Sequence, residues 1–280
     1  MLAVVTGGLS YIGKYITGRL LASGQQVTVL TGHPRRENPL GDRVTVAPFC
    51  FDDEPRLVSV LSGAATLFNT YWVRFDRGTV SFEKAIEHTR RLIRAAETAG
   101  VHRIVHLSVA TPSKDSPFPY FRGKAVLENM IAESKLSYAI IRPTLVFGGP
   151  EEILVNNLAW LLRRFPVFAI PDPGSYRLQP IHVDEVADLA IKVALEGPNT
   201  ILDAAGPDIL TFEERDGRAD QAQDQESRPP IQGESGCRTL VAAGRRPICP
   251  GRGADTRRAW RVDSRTVGVQ GAAGRQGSIR

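Results

Sequence analysis

The feature that most constrains this chain is an apolar run, Leu2-Ala3-Val4-Val5-Thr6, that feeds directly into Gly7-Gly8-Leu9-Ser10-Tyr11-Ile12-Gly13. A short run of apolar residues ending in glycines is the pattern of a strand buried on both faces of a parallel sheet. After the glycines, Ile12, Tyr15, Ile16, Leu20 and Leu21 share one side of a helix that Gly24 ends. Gln26–Thr31 is the next strand, so strand, loop, helix and strand fit in about thirty residues, the size of a βαβ unit. A helix starting at such a turn presents unpaired N–H groups and the positive end of its dipole, and glycines let an anion approach the backbone. The expected occupant is the pyrophosphate of NAD or NADP, bordered by Gly7, Gly8, Ser10, Tyr11, Ile12 and Gly13. Ser10 stands where a middle glycine is usual. It is tolerable if its φ stays negative, and its hydroxyl is then available to a phosphate oxygen.

The alternation continues. Strands are predicted at 44–48, 65–69, 103–108 and 137–142, and helices at 54–61, 81–99 and 120–134. The long helix is the clearest: Phe82, Ala85, Ile86, Thr89, Leu92, Ile93 and Ala96 form its apolar side, and Gly100 closes it. Strands alternating with helices predict an α/β fold, a Rossmann-type doubly wound and mostly parallel sheet. Helices at 153–165 and 183–196 and a strand at 200–204 then make a small, incomplete C-terminal substrate lobe. The organisation expected is 1–150 as the dinucleotide domain, 151–214 as the partial lobe and 215–280 as a separate tail.

The tail differs in kind. Of the 35 basic residues, 13 fall in 215–280 and all are Arg, against 7 of the 30 acidic ones, so the tail carries +6 and the rest −1. The basic pI of 9.3 therefore describes the tail and argues for no nucleic-acid partner of the folded part. Leu240 is its one leucine, and Arg, Gly, Gln, Ser and Pro recur without period. Such a segment buries too little apolar area to offset its ordering entropy, so it is expected to be largely disordered, with at most a short helix. Arg, Gly, Ala and Pro are also what off-frame reading of GC-rich DNA yields, which suggests a frame shift or read-through near Glu214. A basic arm is the other reading.

An apolar content of 42% suits a globular core, and no run approaches the ~20 residues of a membrane span. With the first strand starting at Leu2, no signal peptide is expected before the glycine loop. Cys50, Cys237 and Cys249 have no metal-ligand spacing, so no metal site is expected, and they fit a reducing cytoplasm better than a disulfide scaffold.

Several residues point to chemistry. The second strand ends Thr31-Gly32-His33-Pro34-Arg35-Arg36, with no acid to grip a ribose 2′-hydroxyl and two arginines suited to a 2′-phosphate, which favours NADP. Tyr120 and Lys124 are four apart on a helix and share a face, where an ammonium would lower the phenol's pKa and make it a proton donor and acceptor. Ser108 ends the strand before them, placed for a substrate oxygen. His182 and Asp184 read better as a helix start capped by Asp184 than as an acid–base pair. His88, His102 and His106 read as surface or strand-face residues, and Tyr71, Trp72 and Phe75 as an aromatic cluster.

In order, Thr6-Gly7-Gly8…Tyr11-Ile12-Gly13, Ser108, Tyr120-Phe121-Arg122-Gly123-Lys124-Ala125, Ile141-Arg142-Pro143-Thr144-Leu145-Val146-Phe147-Gly148 and Ile181-His182-Val183-Asp184-Glu185-Val186-Ala187 resemble the short-chain dehydrogenase/reductase superfamily, in its extended and atypical branches. The likeness is to NAD-dependent epimerase/dehydratase and NmrA-like proteins, akin to a nucleotide-binding accessory subunit of respiratory complex I, and covers 1–214. It implies Tyr120 as catalytic acid/base, Lys124 holding the ribose, and Ser108 positioning the substrate. It also implies that Asn69, Thr70 and Tyr71, with Phe51 and Pro143, line the cofactor. Ser10 departs from the pattern, as does Cys50 where an aspartate often contacts adenine, and the family's further lobe helices are missing after Thr211-Phe212-Glu213-Glu214. The expected function is an NAD(P)-dependent oxidoreductase or epimerase acting on a carbonyl or sugar-like small molecule. The alternative is a non-catalytic NAD(P)-binding sensor or accessory protein.

Overall fold

The structure is a computed structural model that describes residues 1–76, 78, 80–164, 167–171, 177–195, 197–211 and 237–241. In chain order the elements are β1 (Leu2–Thr6), α1 (Tyr11–Ala22), β2 (Gln26–Thr31), β3 (Val44–Pro48), α2 (Glu54–Leu61), β4 (Ala64–Asn69), α3 (Phe82–Thr98) and β5 (Arg103–Leu107). There follow α4 (Pro119–Ala132), β6 (Ser137–Pro143), β7 (Leu145–Phe147), α5 (Leu154–Arg164), β8 (Val167–Pro171), β9 (Arg177–Leu178), β10 (Pro180–His182) and α6 (Val183–Ala194). Last come β11 (Thr200–Ala204), β12 (Leu210–Thr211) and β13 (Cys237–Val241).

Seven strands make one sheet in the order β3-β2-β1-β4-β5-β6-β11, with every neighbouring pair parallel. The period-two alternation of the apolar strands divides the core. Ala3 and Val5 join Ile16, Leu20, Val186 and Ala190 of α1 and α6 on one face. Val4 joins Leu57, Leu61, Leu92 and Ile131 of α2, α3 and α4 on the other. Each fully buried Leu or Ile contributes roughly 1.5–3 kcal/mol over its exposed state. In α3, Phe82, Ala85, Thr89, Leu92, Ile93 and Ala96 are the buried side, as their spacing requires.

Strand order reverses between β1 and β4, which opens a crevice at the carboxyl ends of the strands. At the other end, Arg103 is only 2% exposed and ties β5 to the end of α6. It donates to the carbonyls of Val193 at 2.9 Å, Gly197 at 3.1 Å and Pro198 at 3.2 Å, satisfying acceptors that a helix end leaves unpaired.

The remaining strands form three small ladders: β7 with β10, parallel, and β9 with β12 and β8 with β13, both antiparallel. Residues 237–241 thus form a strand in the tail, where at most a helix was expected. The rest of the expectation for 215–280 lies outside the described residues. A second correction concerns α6. His182, not Asp184, is its N-cap: the ring Nδ1 accepts from the Asp184 N–H at 3.3 Å and Glu185 reaches back to the His182 N–H at 3.3 Å. Asp184 instead pairs with Arg19 of α1 at 2.8 Å. Among the described residues no helix is long and apolar enough to cross a membrane.

Candidate functional site

The glycine loop lies at the reversal point. Gly7 has φ +64° and donates to Leu30 O at 2.7 Å, which anchors the turn between β1 and β2. A β-carbon on Gly13 would stand 2.2 Å from Gly7 O, and one on Gly8 would stand 2.7 Å from Val29 Cγ2 and 2.8 Å from Thr17 Oγ1. Helix, loop and sheet therefore approach as closely as backbone allows. Ser10 is extended, with φ −93°, so the usual glycine is not needed there. The first bond into α1 runs from the Lys14 N–H to Ser10 O at 2.8 Å, leaving the N–H groups of Tyr11, Ile12 and Gly13 without helical acceptors.

The end of β4 is fixed to this loop. Thr6 Oγ1 accepts from the N–H of Thr70 at 2.9 Å and of Tyr71 at 3.0 Å and donates to Asn69 Oδ1 at 3.0 Å. Because Asn69 Oδ1 also takes the Tyr71 N–H, its amide nitrogen must be the group that faces His106 Nδ1 at 3.1 Å. His106 is thereby the Nε2–H tautomer, fully buried and held neutral by burial and by the charge of Lys124.

At the end of β2, Thr31 Oγ1 accepts from the His33 N–H at 3.1 Å, and Arg35 and Arg36 are exposed. Neither guanidinium has a hydrogen bond or ion pair among the described residues. Phe51, after β3, stacks on His88 at 4.4 Å and meets Tyr71 at 5.0 Å, and the Tyr71 hydroxyl bonds His88 Nδ1 at 2.8 Å. His88 is therefore a half-buried member of an aromatic wall with Phe51 and Tyr71. Tyr71, Trp72 and Phe75 are not one cluster: Tyr71 joins this wall, Trp72 packs on Phe82 and Tyr120, and Phe75 is 78% exposed.

Tyr120 lies in the first turn of α4, walled by Trp72, Phe82 and Phe121 at 5.5–6.1 Å. Burial raises its pKa, and the charge that opposes this rise belongs to Arg74, not to Lys124. The expectation that Lys124 lowers it fails because the lysine runs inward. Its Nζ donates to Leu107 O at 2.6 Å and lies 5.0 Å from the Trp72 ring centroid, and burial pushes its pKa down to about 7. Ser108 also faces inward, donating to Glu128 Oε1, while Arg142 binds the same carboxylate at 2.6–3.2 Å. Pro143 is buried at the end of β6, its carbonyl taking the Ala110 N–H at 2.9 Å.

The crevice is bordered beyond β7 by acids. Glu152 accepts from the N–H groups of Leu154, Val155 and Asn156 at 2.6–3.0 Å and so caps α5, while Glu151 pairs with Lys14. Burial, and to a lesser degree both carboxylates, keep the Tyr11 hydroxyl protonated far above its ordinary range.

Residues 7–156 match the NAD(P)H-binding family. The chain belongs to it. This NAD(P)H-binding chain is 27% identical over 226 residues to the "NADH dehydrogenase [ubiquinone] 1 alpha subcomplex subunit 9, mitochondrial" of Arabidopsis thaliana, covering 76% of this chain and 56% of that one. It is 26% identical over 218 residues to an uncharacterized protein of Mycobacterium tuberculosis, covering 76% of this chain and 22% of that one. The chain thus spans little more than half of its plant relative. Its fold is that of UDP-glucose 4-epimerase from Brucella ovis in complex with NAD, with a TM-score of 0.65 at 17% identity, covering 78% of this chain and 82% of that one. MoeE5 in complex with UDP-glucose and NAD gives 0.64 at 20% identity, covering 79% and 82%.

Among the residues around the site, Glu128 is not singled out in the sequence reading, and Arg142 is named there only within the resemblance. Glu128 had a signal, an acid one turn beyond Lys124 on the buried side of α4, between the apolar Leu127 and Ile131. Trp72 reads from sequence only as part of an aromatic cluster; its packing on Phe82 and Tyr120, and the approach of its Cη2 to 2.6 Å from where a β-carbon on Gly123 would stand, come from the structure.

Proposed function

We propose that this chain is a dinucleotide-holding protein that seats NADP in preference to NAD across the carboxyl edge of its sheet and turns over no substrate. The observation that carries the seat is the contact of Gly13 with Gly7 O, which sets the unpaired N–H groups of Tyr11, Ile12 and Gly13 where a diphosphate is stabilised. Arg35 and Arg36, exposed at the end of β2, support the 2′-phosphate. The absence of turnover is supported by Lys124 and Ser108, whose polar atoms are committed to Leu107 O and Glu128, and by a Tyr120 phenol that no ammonium activates. When bound, the dinucleotide would supply a hydride donor or acceptor, and Asn69, Thr70 and Tyr71 would line it. Cys50, a free thiol, supports a reducing compartment such as the cytoplasm.

The second reading is an oxidoreductase or epimerase acting on a carbonyl or sugar-like molecule. It is favoured by the Tyr120–Lys124 spacing at the crevice end of α4 and by the fold shared with sugar-nucleotide epimerases. Titration with NADPH and NADH, followed by a carbonyl and sugar-nucleotide panel monitored through the absorbance of the reduced nicotinamide, separates the two. Saturable binding without turnover is expected. Turnover that Tyr120→Phe abolishes would establish the enzyme.

A further inference from the structure

Residues 148–152, between β7 and α5, lie against the start of α1. The chain turns there through two adjacent glycines with positive φ, Gly148 at +105° and Gly149 at +78°, where any side chain would be strained. Gly148 packs on the ring of His182, the N-cap of α6: a β-carbon on it would stand 2.3 Å from Nε2. One on Gly149 would stand 2.3 Å from the Tyr15 hydroxyl and 3.3 Å from Glu151 Oε2. Glu151 in turn forms its ion pair with Lys14, in the first turn of α1.

The two ends of this strap are held unequally. Asn156 Nδ2 donates to the carbonyls of Gly149 at 3.1 Å and Glu152 at 2.6 Å, and the Glu152 carboxylate caps α5, so the far end is fixed to that helix. The ionic hold on α1 is Glu151 with Lys14, and both side chains are more than a third exposed, where such a pair contributes little. Among the described residues the buried Tyr11 hydroxyl and the buried Glu151 Oε2 both lack a hydrogen-bond partner, so the contact leaves polar atoms unmet and is easily opened. Tyr11 and Tyr15 meet edge-on at 6.3 Å, which carries the covered surface from the strap to the tip of the helix.

A carboxylate placed here is a rival of the ligand that the tip would take. The positive end of α1 and the Lys14 ammonium favour an anion at the first turn, and Glu151 supplies one. We propose that residues 148–152 are an autoinhibitory strap, latched by Glu151 to Lys14, that restrains entry of a dinucleotide's diphosphate and swings away on Gly148 and Gly149 when the diphosphate takes the tip of α1. The inference deepens the dinucleotide reading and rests on it.

Calorimetric titration of the full chain with NADPH tests it, together with amide hydrogen exchange over residues 148–152 followed by mass spectrometry. Glu151→Gln should bind NADPH about tenfold tighter than the wild type. Without ligand, exchange in the strap should be faster in this variant than in the wild type, and NADPH should speed it in the wild type. The double variant Lys14→Met/Glu151→Gln has the net charge of the wild-type pair but no latch, and should still bind NADPH about threefold tighter than the wild type. A double variant at wild-type affinity would mean that Glu151 acts through its charge alone, and overturns the strap. An unchanged or weaker affinity in Glu151→Gln does so too, as does slower exchange in the strap with NADPH, since the segment then closes on the ligand. NADPH binding with equal affinities thus sinks the strap alone, whereas no NADPH binding by wild type or either variant refutes the dinucleotide reading and the restraint with it.

Discussion

Ser108 and Glu128 form a hydrogen bond of 2.5 Å beneath the carboxyl edge of the sheet, with the serine hydroxyl as donor. Glu128, on α4, is 5% exposed and shares its oxygens with Arg142 of β6. A group expected to face a substrate is thereby part of the packing between helix and sheet, and its proton is directed at a carboxylate inside the fold. The consequence is mechanical as well as chemical, because the same carboxylate ties β5, β6 and α4 together.

Glu128→Ala strands the Arg142 guanidinium, which is largely buried, without its partner. Breaking such a pair costs about 3 kcal/mol, and replacing both partners costs less than removing one. Urea denaturation should show Glu128→Ala markedly less stable than Glu128→Ala/Arg142→Met. Equal losses in the single and double variants would show that the pair contributes no coupling.

Lys124 supplies a pH signature. Burial depresses its folded pKa to about 7, with the Glu128 charge acting in the opposite direction. The unfolded lysine titrates near ~10.4, so between the two values the unfolded chain binds more protons than the folded one. Unfolding free energy should rise with pH from about 7 to about 10, at up to ~1.4 kcal/mol per pH unit from this group. The penalty is full below 7. Lys124→Met should remove that part of the rise, and parallel curves for wild type and variant would show that the lysine is not desolvated.

The two close glycines should respond unequally to alanine. At Gly8 the added carbon meets side-chain atoms of Val29 and Thr17, which can shift, whereas at Gly13 it meets the backbone oxygen of Gly7 at 2.2 Å. Gly8→Ala is expected to cost about 1–2 kcal/mol by thermal melting, and Gly13→Ala more, since overpacking against backbone has no rotamer to relieve it. The reverse order would mean that α1 is less tightly seated on its loop.

Cofactor choice is tested at the end of β2. Replacing Arg35 and Arg36 together with alanine should weaken NADPH about tenfold and leave NADH unchanged, because only NADPH carries the 2′-phosphate. Equal effects on both dinucleotides would assign the arginines a general electrostatic role.

All seven strands of the main sheet were legible as short runs between turn residues; β1, buried along nearly its whole length, is purely apolar up to Thr6, whereas the edge strand β11 alternates half-buried and exposed positions. The three small ladders were not: two of them consist of two- and three-residue strands such as Arg177–Leu178, which carry no periodicity, and the five-residue β8 and β13 of the third were not anticipated. At the site, the Tyr120–Lys124 spacing correctly put both residues on one stretch of α4, but a four-carbon side chain ends where its ammonium finds an acceptor. Here that acceptor is Leu107 O. The cap of α6 was misread by two residues for a related reason. His182 and Asp184 are both polar at a helix start, and which one caps depends on Arg19, 165 positions from Asp184 in sequence, drawing the aspartate away.

The account stands on the seat at the tip of α1, and backbone amide resonances of the folded chain test it most directly. On titration with NADPH, the amides of Tyr11, Ile12 and Gly13 should show the largest and saturable shifts, followed by those of Asn69–Tyr71. Amides at these positions unmoved up to millimolar NADPH, or shifts concentrated elsewhere in the fold, would contradict it.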